Sequence, residues 1–129
     1  MIAVDTNILV RFLVNDDPKQ AQRARRLIEE EQIFVPKTVL LETEWVLRYT
    51  YEFGREAVAE ALGKVCGLVQ VTIEDTPAVR QALAWHQEGF DFADGLHLAA
   101  SRQAERFYSF DQELVRRAKR EKTVSVVQL

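Results

Sequence analysis

Short runs of apolar, β-type residues alternate with longer amphipathic segments along the whole chain, and this alternation limits the architectures open to it. The pattern predicts strands at 2–4, 33–35, 68–73, 106–110 and 124–127, and helices at 8–14, 18–31, 38–53, 55–65, 77–88, 91–104 and 111–121. Strands separated by helical segments of about ten or more residues pair in parallel through right-handed crossovers. We therefore predict an α/β fold, a small and mostly parallel sheet with helices on both faces.

The size and composition of the chain narrow its class further. Its 129 residues fit a single domain over 1–129, and a hydrophobic content of 47% is sufficient for a core. The single cysteine, Cys66, excludes an internal disulfide and a Cys-rich zinc site, as is typical of a reducing compartment. No apolar run approaches the roughly 18 residues of a membrane span, and no signal peptide is recognisable. We therefore expect a cytoplasmic protein that makes no membrane contact.

The charge balance excludes a general polyanion binder but leaves nucleic acid open as a partner. Seventeen basic residues stand against twenty acidic ones, which gives a net charge of −3. Twelve of the basic residues are arginines, whose planar guanidinium group suits phosphate, and five basic residues lie between Arg116 and Lys122. Such a run is also typical of a solvated helix face, so both interpretations stay open.

Two acidic residues directly follow predicted strands. Asp5 follows the first strand and Asp111 follows the fourth, and ligands of open parallel sheets gather beyond the carboxyl ends of the strands. In one parallel sheet, both residues would lie at the same edge. Each residue also suits the role of a helix cap, because Asp accepts hydrogen bonds from the free N–H groups of a first helical turn.

The predicted helix at 38–53 contains two glutamates, which helical spacing places on different faces. Glu44 precedes Arg48 by four residues, which is the favourable orientation for an ion pair on the solvent face. Glu42 lies at helical spacing from Trp45 and Tyr49, so we expect it within the stripe that packs inward. A buried carboxylate needs a partner, which is either a basic group from elsewhere in the fold or a bound cation.

Asp94 lies near the start of another predicted helix. Asp91 fits the cap of this helix, and Asp94 stands three residues on, where an acid reaches back toward the cap. The helix that follows is apolar enough to be buried centrally, so we expect its first turn to pack against other elements. Asp94 is therefore the less convincing of the two as a purely structural residue.

Convergence of Asp5, Glu42, Asp94 and Asp111 would place up to four negative charges in one small pocket. Like charges at such distances raise one another's pKa or require a cation. An all-oxygen ligand set without cysteine or paired histidines selects a hard ion such as Mg²⁺ or Mn²⁺ over zinc. An ion held in this way binds a phosphate oxygen and activates a water, so the residues predict phosphodiester hydrolysis.

Four short segments occur in an order that is similar to a known family: Val4-Asp5-Thr6-Asn7-Ile8-Leu9, Leu41-Glu42-Thr43-Glu44-Trp45-Val46-Leu47, Phe92-Ala93-Asp94-Gly95-Leu96 and Ser109-Phe110-Asp111. Together they resemble the PIN-domain proteins, and within that family the VapC-type toxins of type II toxin–antitoxin systems. The resemblance spans essentially the whole chain. It implies a PIN-like sandwich fold and Mg²⁺-dependent endoribonuclease activity, with Mn²⁺ as a substitute metal.

The same resemblance implies roles for individual residues. It carries the catalytic and metal-binding acids of the family onto Asp5, Glu42, Asp94 and Asp111. Thr6 and Ser109 match hydroxyl positions, whose implied role is to fix the neighbouring carboxylates by hydrogen bonds.

Partners are implied as well: an RNA substrate, a VapB-like antitoxin and a second copy in a homodimer. The apolar segments around 45–53 and 57–68 are the predicted dimer surface, although the core of a monomer could use the same residues. An acidic centre alone would repel a polyanion, so basic side chains are needed outside it. The predicted contacts to RNA phosphates are Arg11, Arg48, Arg116 and Arg117.

Three other functions fit part of the pattern. A haloacid-dehalogenase-like phosphatase also carries Asp after its first strand, but Asn7 occupies the position of its usual second Asp. A catalytically silent interaction module on the PIN scaffold would not need four acids. A metal-dependent nuclease that cuts DNA stays open, because carboxylate chemistry acts on the phosphodiester and not on the sugar.

Overall fold

A computed structural model describes residues 1–129, and its strands and helices alternate as the sequence pattern predicts. In chain order the elements are β1 (Ile2–Ala3), α1 (Thr6–Leu13), α2 (Pro18–Glu30), β2 (Ile33–Val35), α3 (Lys37–Tyr49), α4 (Arg55–Cys66), β3 (Val71–Ile73), α5 (Thr76–Gln87), α6 (Phe92–Ala100), β4 (Arg106–Ser109), α7 (Gln112–Ala118) and β5 (Ser125–Gln128). Every strand pair is parallel, so the predicted α/β class is confirmed. None of the helices combines the length and the hydropathy that a membrane crossing needs.

The chain divides into two compact units, Met1–Thr76 and Pro77–Leu129. The first contains a three-stranded sheet of order β1-β2-β3, and the second contains a two-stranded sheet of β4 and β5. The strands thus form two sheets where we predicted one, because a strand–helix alternation predicts parallel pairing without fixing which strands share a ladder. Whether 1–129 is a single domain stays a prediction.

The first unit is built around the β1-β2-β3 sheet. In its register, Ile2 pairs with Ile33, and Ile33 in turn pairs with Val71. Asp17 caps α2 by accepting a hydrogen bond from the N–H of Gln20, and Pro18 follows it at the first helical position, as predicted. The core of this unit consists of fully buried aliphatic side chains, among them Leu9, Ile28, Ile33, Val35, Leu40, Leu47, Val58 and Leu62.

The second unit places α7 against both strands of the β4-β5 sheet, whose register runs from Arg106 opposite Ser125 to Ser109 opposite Gln128. Its fully buried side chains include Val79, Phe92 and Leu98. Gly89 follows α5 with a φ of +105°, a conformation that glycine alone adopts without strain, and the predicted end of this helix is confirmed.

Several predicted elements were too long, because element boundaries depend on turns and long-range contacts that the local pattern does not contain; the helix predicted at 111–121, for example, ends at Ala118. The helix predicted at 38–53 ends at Tyr49, and Glu52 beyond it has a φ of +57°. The helix predicted at 91–104 ends at Ala100 and is followed by turns. The strand predicted at 68–73 begins only at Val71, because residues 68–70 form a turn.

Candidate functional site

Asp5 lies between β1 and α1 and caps that helix. Its Oδ1 atom accepts a hydrogen bond from the N–H of Ile8 at 3.1 Å, so the capping interpretation is confirmed. The residue is exposed, and its second carboxylate oxygen makes no hydrogen bond within the protein. Capping therefore uses one oxygen of Asp5 and leaves the other for a cation.

Glu42 is held by the residue that follows Asp5. Thr6 is buried, and its hydroxyl donates a hydrogen bond to Oε1 of Glu42 on α3. This contact joins the start of α1 to α3 across 36 positions of the chain. Thr6 thus fixes the Glu42 carboxylate as its hydroxyl position in the sequence suggested, and the Glu42 side chain stays exposed.

The two glutamates of α3 occupy the opposite faces from those predicted. Glu44 is only 2% exposed, whereas Glu42 is exposed and Trp45 and Tyr49 are 54% and 58% exposed. The physical reason is that Arg48, one turn on, neutralises Glu44 with two hydrogen bonds of 2.8 and 3.2 Å. The inward face of the helix is formed by Leu40, Thr43, Glu44 and Leu47.

Asp94 and Asp111 lie close enough in the second unit to repel each other. Burial is the main cause that raises the pKa of Asp94, and the negative charges of Asp91 and Asp111 raise it further, while His97 acts in the opposite direction. Asp91 caps α6 by accepting a hydrogen bond from the N–H of Asp94 at 3.0 Å, as predicted. Asp94 is therefore a half-buried carboxyl group in a field of like charge.

Asp111 caps α7 in the same manner as Asp5 caps α1. Its Oδ1 atom accepts hydrogen bonds from the N–H groups of Glu113 and Leu114, at 3.0 and 3.2 Å. The Ser109 hydroxyl accepts a hydrogen bond from the N–H of Asp111 at 2.9 Å, so it orients the backbone of this residue and not its carboxylate. β1 and β4 belong to different sheets, so the prediction that Asp5 and Asp111 lie at the same edge of one sheet is wrong.

None of the four acids, Asp5, Glu42, Asp94 and Asp111, forms an ion pair with lysine or arginine. The alternative of a salt bridge that neutralises Glu42 is therefore excluded. The structure shows no group of three or more His, Cys, Asp or Glu side chains placed to hold a metal ion, so convergence of all four acids stays a prediction. Their chemistry is nevertheless that of a hard-cation site, since every donor is a carboxylate oxygen.

The arginines predicted to contact RNA phosphates are all paired with acids. Arg11 contacts Asp16 at 3.0 Å, and Arg48 is bound to Glu44. Arg116 and Arg117 share Glu113, at 2.5 and 2.9 Å, and these hydrogen bonds lower the pKa of Glu113 to about 2. Arg11 and Arg48 each have an acid of their own, whereas Arg116 and Arg117 share one carboxylate and keep one net positive charge between them.

Sequence reasoning overlooked Arg23, an exposed residue of α2 that forms no ion pair. It lines the same cleft as Asp5, together with Gln20 and Leu27. The available signal was spacing, because Gln20, Arg23 and Leu27 follow one another at intervals of three and four residues and so share a helix face.

Comparison with known protein families identifies the family to which this chain belongs. The profile of the PIN domain family matches residues 2–120, which include all four acids. The chain belongs to the PIN domain family. The predicted PIN-like fold class is thereby confirmed.

Two proteins of known family are similar to this chain. A VapC ribonuclease of Aquifex aeolicus (strain VF5) is 27% identical to the PIN domain over 88 residues, covering 64% of this chain and 64% of that protein. The chain thus spans about two thirds of the length of the curated relative it matches. Mycobacterium tuberculosis VapC20, a toxin that cleaves the sarcin–ricin loop, has a crystal structure that matches 98% of each chain with 22% identity and a TM-score of 0.46.

Proposed function

We propose that this PIN domain is a divalent-metal-dependent endoribonuclease that acts as the toxin of a VapBC-type toxin–antitoxin system. The observation that carries the proposal is that Asp5, Glu42, Asp94 and Asp111 all lack a basic partner. An unpaired carboxylate costs free energy where it is buried, as Asp94 partly is, whereas the exposed Asp5, Glu42 and Asp111 stay hydrated and available to a cation. Four unpaired acids at the positions of the family pattern are more consistent with a cation-binding function than with a silent interaction module.

The acids would hold Mg²⁺ or Mn²⁺, with Asp5 and Asp94 as the first candidates for direct ligands and Glu42 and Asp111 completing the set. When bound, the ion would offset charge on a phosphodiester and lower the pKa of a water that attacks it. Thr6 keeps one Glu42 oxygen in place by its hydrogen bond, and Ser109 fixes the turn that carries Asp111. Burial, and after it the negative charges of Asp91 and Asp111, raise the pKa of Asp94, and a divalent cation bound beside it would lower that pKa again.

The biological setting is proposed on the likeness to the VapC ribonuclease. Cellular RNA would be the substrate, the cytoplasm the place of action, and a VapB-like antitoxin the inhibitor, with a basic side chain placed among the acids. A homodimer is supported by an exposed aromatic pair on α3, since the rings of Trp45 and Tyr49 lie 4.9 Å apart and are more than half exposed. The other segment of the predicted dimer surface contributes Val58, Leu62 and Val65 to the core of the first unit instead.

RNA cleavage by two single variants tests the enzymatic part of the proposal. We expect Asp5→Asn and Asp94→Asn to reduce the rate by about a hundredfold or more, since each removes a charged ligand while keeping the shape of the side chain. Purified full-length protein would be incubated with transfer RNA and ribosomal RNA fragments, in Mg²⁺, in Mn²⁺ and in a chelator. Cleavage would be followed on denaturing gels.

Asp17→Asn is the matched control. Asp17 caps α2 with the same 3.1 Å contact that Asp5 makes to α1, and asparagine is as good a cap as aspartate. This variant is expected to cleave RNA at the wild-type rate and to melt at the wild-type temperature. Undiminished cleavage by Asp5→Asn and Asp94→Asn, or by wild type in chelator, would refute the proposed function.

A further inference from the structure

A cleft of about 590 Å³ opens between α1 and α2 in the first unit, and Asp5 is one of the residues that line it. Its apolar lining includes Ile8 from α1 and Leu27 from α2, both half-buried. Its polar lining includes Gln20 and Arg23 from α2. We call it the α1–α2 cleft. It adjoins one of the four acids and combines an apolar floor with polar groups along one helix.

Gln20 is fixed as a hydrogen-bond donor by Arg11. The Nε group of Arg11 donates to Oε1 of Gln20 at 2.6 Å, and Arg11 itself is held by Asp16 at 3.0 Å and by the Tyr51 hydroxyl at 3.1 Å. A guanidinium group has no acceptor, so the amide oxygen of Gln20 must face it. The two N–H bonds on Nε2 of Gln20 therefore remain for a molecule in the cleft.

Arg23 supplies a positive charge that no acid in the protein neutralises. It is exposed, forms no hydrogen bond or ion pair, and lies three residues after Gln20 on the same face of α2. Lys19, also exposed, lies one turn before it. Arg23 thus differs from Arg11, whose guanidinium group is already bound to Asp16.

We propose that the α1–α2 cleft binds the RNA nucleotide next to the phosphodiester that is cut, with Arg23 on a phosphate oxygen and the base against Ile8 and Leu27. This inference rests on the proposed function. The free polar groups of Gln20 and Arg23 are all donors, which matches phosphate and base-carbonyl oxygens. The apolar side chains of Ile8 and Leu27 suit the face of a base, and Asp5 in the lining of the cleft brings the bound strand beside one of the proposed catalytic acids.

RNA binding by charge variants of α2 tests the inference. A labelled single-stranded RNA of about ten nucleotides would be titrated with full-length protein in chelator, where no cleavage interferes. Arg23→Ala is expected to raise the Kd about tenfold and to reduce the salt dependence of log Kd by about 0.7, the contribution of one phosphate contact on a single strand. Arg23→Lys keeps the charge and is expected to retain most of the affinity.

Arg25→Ala is the matched control, because Arg25 is an exposed, unpaired arginine of the same helix that does not line the cleft. It is expected to bind like wild type. Gln20→Glu, which exchanges donors for an acceptor, is expected to weaken binding as Arg23→Ala does. In cleavage assays Arg23→Ala should raise the KM about tenfold and change kcat less than twofold.

The outcomes separate this inference from the proposed function. Wild-type cleavage with equal RNA affinity of Arg23→Ala and Arg25→Ala would overturn the inference and leave the proposed function intact. Arg23-dependent RNA binding without cleavage under any metal would support the cleft as an RNA-binding site and refute the enzymatic function. A polyglutamate peptide that binds through Arg23 more tightly than the RNA would overturn it by identifying the cleft as a protein-docking site.

Discussion

At the scale of single residues, the two glutamates of α3 show how burial and charge are reconciled. Glu44 is almost completely buried, and its carboxylate is satisfied by both an Nε and an Nη donor of Arg48 one turn away. Glu42 is exposed and receives a hydrogen bond from Thr6 instead. The two faces were predicted in reverse, because the Glu44–Arg48 spacing was interpreted as a solvent-facing ion pair. In the structure the same pair neutralises Glu44 and allows its side chain to pack inward.

Arg48→Ala is expected to lower the free energy of unfolding by about 2–4 kcal/mol, because it leaves the Glu44 charge buried without its partner. Urea denaturation measures the change. Arg26→Ala is the control, since Arg26 and Glu30 form an exposed pair at the same spacing and its loss costs less than about 0.5 kcal/mol. Adding Glu44→Gln to Arg48→Ala should recover part of the loss. Equal effects of Arg48→Ala and Arg26→Ala would contradict this account.

At the scale of secondary structure, local chemistry predicted where elements begin better than where they end. Asp5, Asp17, Asp91 and Asp111 were each recognised as caps, and each accepts a hydrogen bond from the N–H of the first turn. Starts are set by such short-range contacts. The chain leaves α3 through a turn in which Glu52 has a positive φ, and no signal in the sequence predicts this conformation. The division of strands between two sheets depends on long-range pairing.

Two glycine-to-alanine substitutions are expected to change stability in opposite directions. Gly89→Ala should lower the free energy of unfolding by about 1–3 kcal/mol, because a φ of +105° is strained for alanine and its Cβ would lie 3.2 Å from Nη1 of Arg117. Gly63→Ala, inside α4 where a Cβ meets nothing within 4 Å, should raise it by about 0.5–1 kcal/mol. Urea midpoints measure both, and a shift of the same sign for both variants would contradict the backbone argument.

At the scale of the whole molecule, the sequence was sufficient to predict the family but not the surroundings of the acids. The family match covers residues 2–120, a range that contains Asp5, Glu42, Asp94 and Asp111, whose catalytic role stays a prediction. The Glu44–Arg48 pair was predicted from its spacing, but the pairing of Arg11 with Asp16 and of Arg116 and Arg117 with Glu113 was not. Arg23 stands out only in the structure, which shows that the four predicted phosphate contacts are paired with acids and that Arg23 is not.

The raised pKa of Asp94 predicts how the stability of the folded protein depends on pH. In chelator at neutral pH, Asp94→Asn should melt above wild type, because burial and the charges of Asp91 and Asp111 disfavour the carboxylate. The pKa of Asp94 is higher in the folded protein than in the unfolded chain, so this penalty is complete above the raised pKa. It disappears as the pH falls below the ordinary value of about 3.9. Thermal melts of both proteins across this range measure the gap.

Mg²⁺ is expected to remove or reverse the difference in Tm between Asp94→Asn and wild type, because it binds the folded wild type. A ligand at ten times its Kd stabilises by about 1.4 kcal/mol, which raises the Tm of a chain of this size by roughly 4–7 °C. Asp94→Asn should gain less, because it has lost one carboxylate ligand, while Asp17→Asn should gain as much as wild type. NaCl at matched ionic strength separates binding from screening. An equal rise for wild type and Asp94→Asn would mean that Asp94 does not bind the metal.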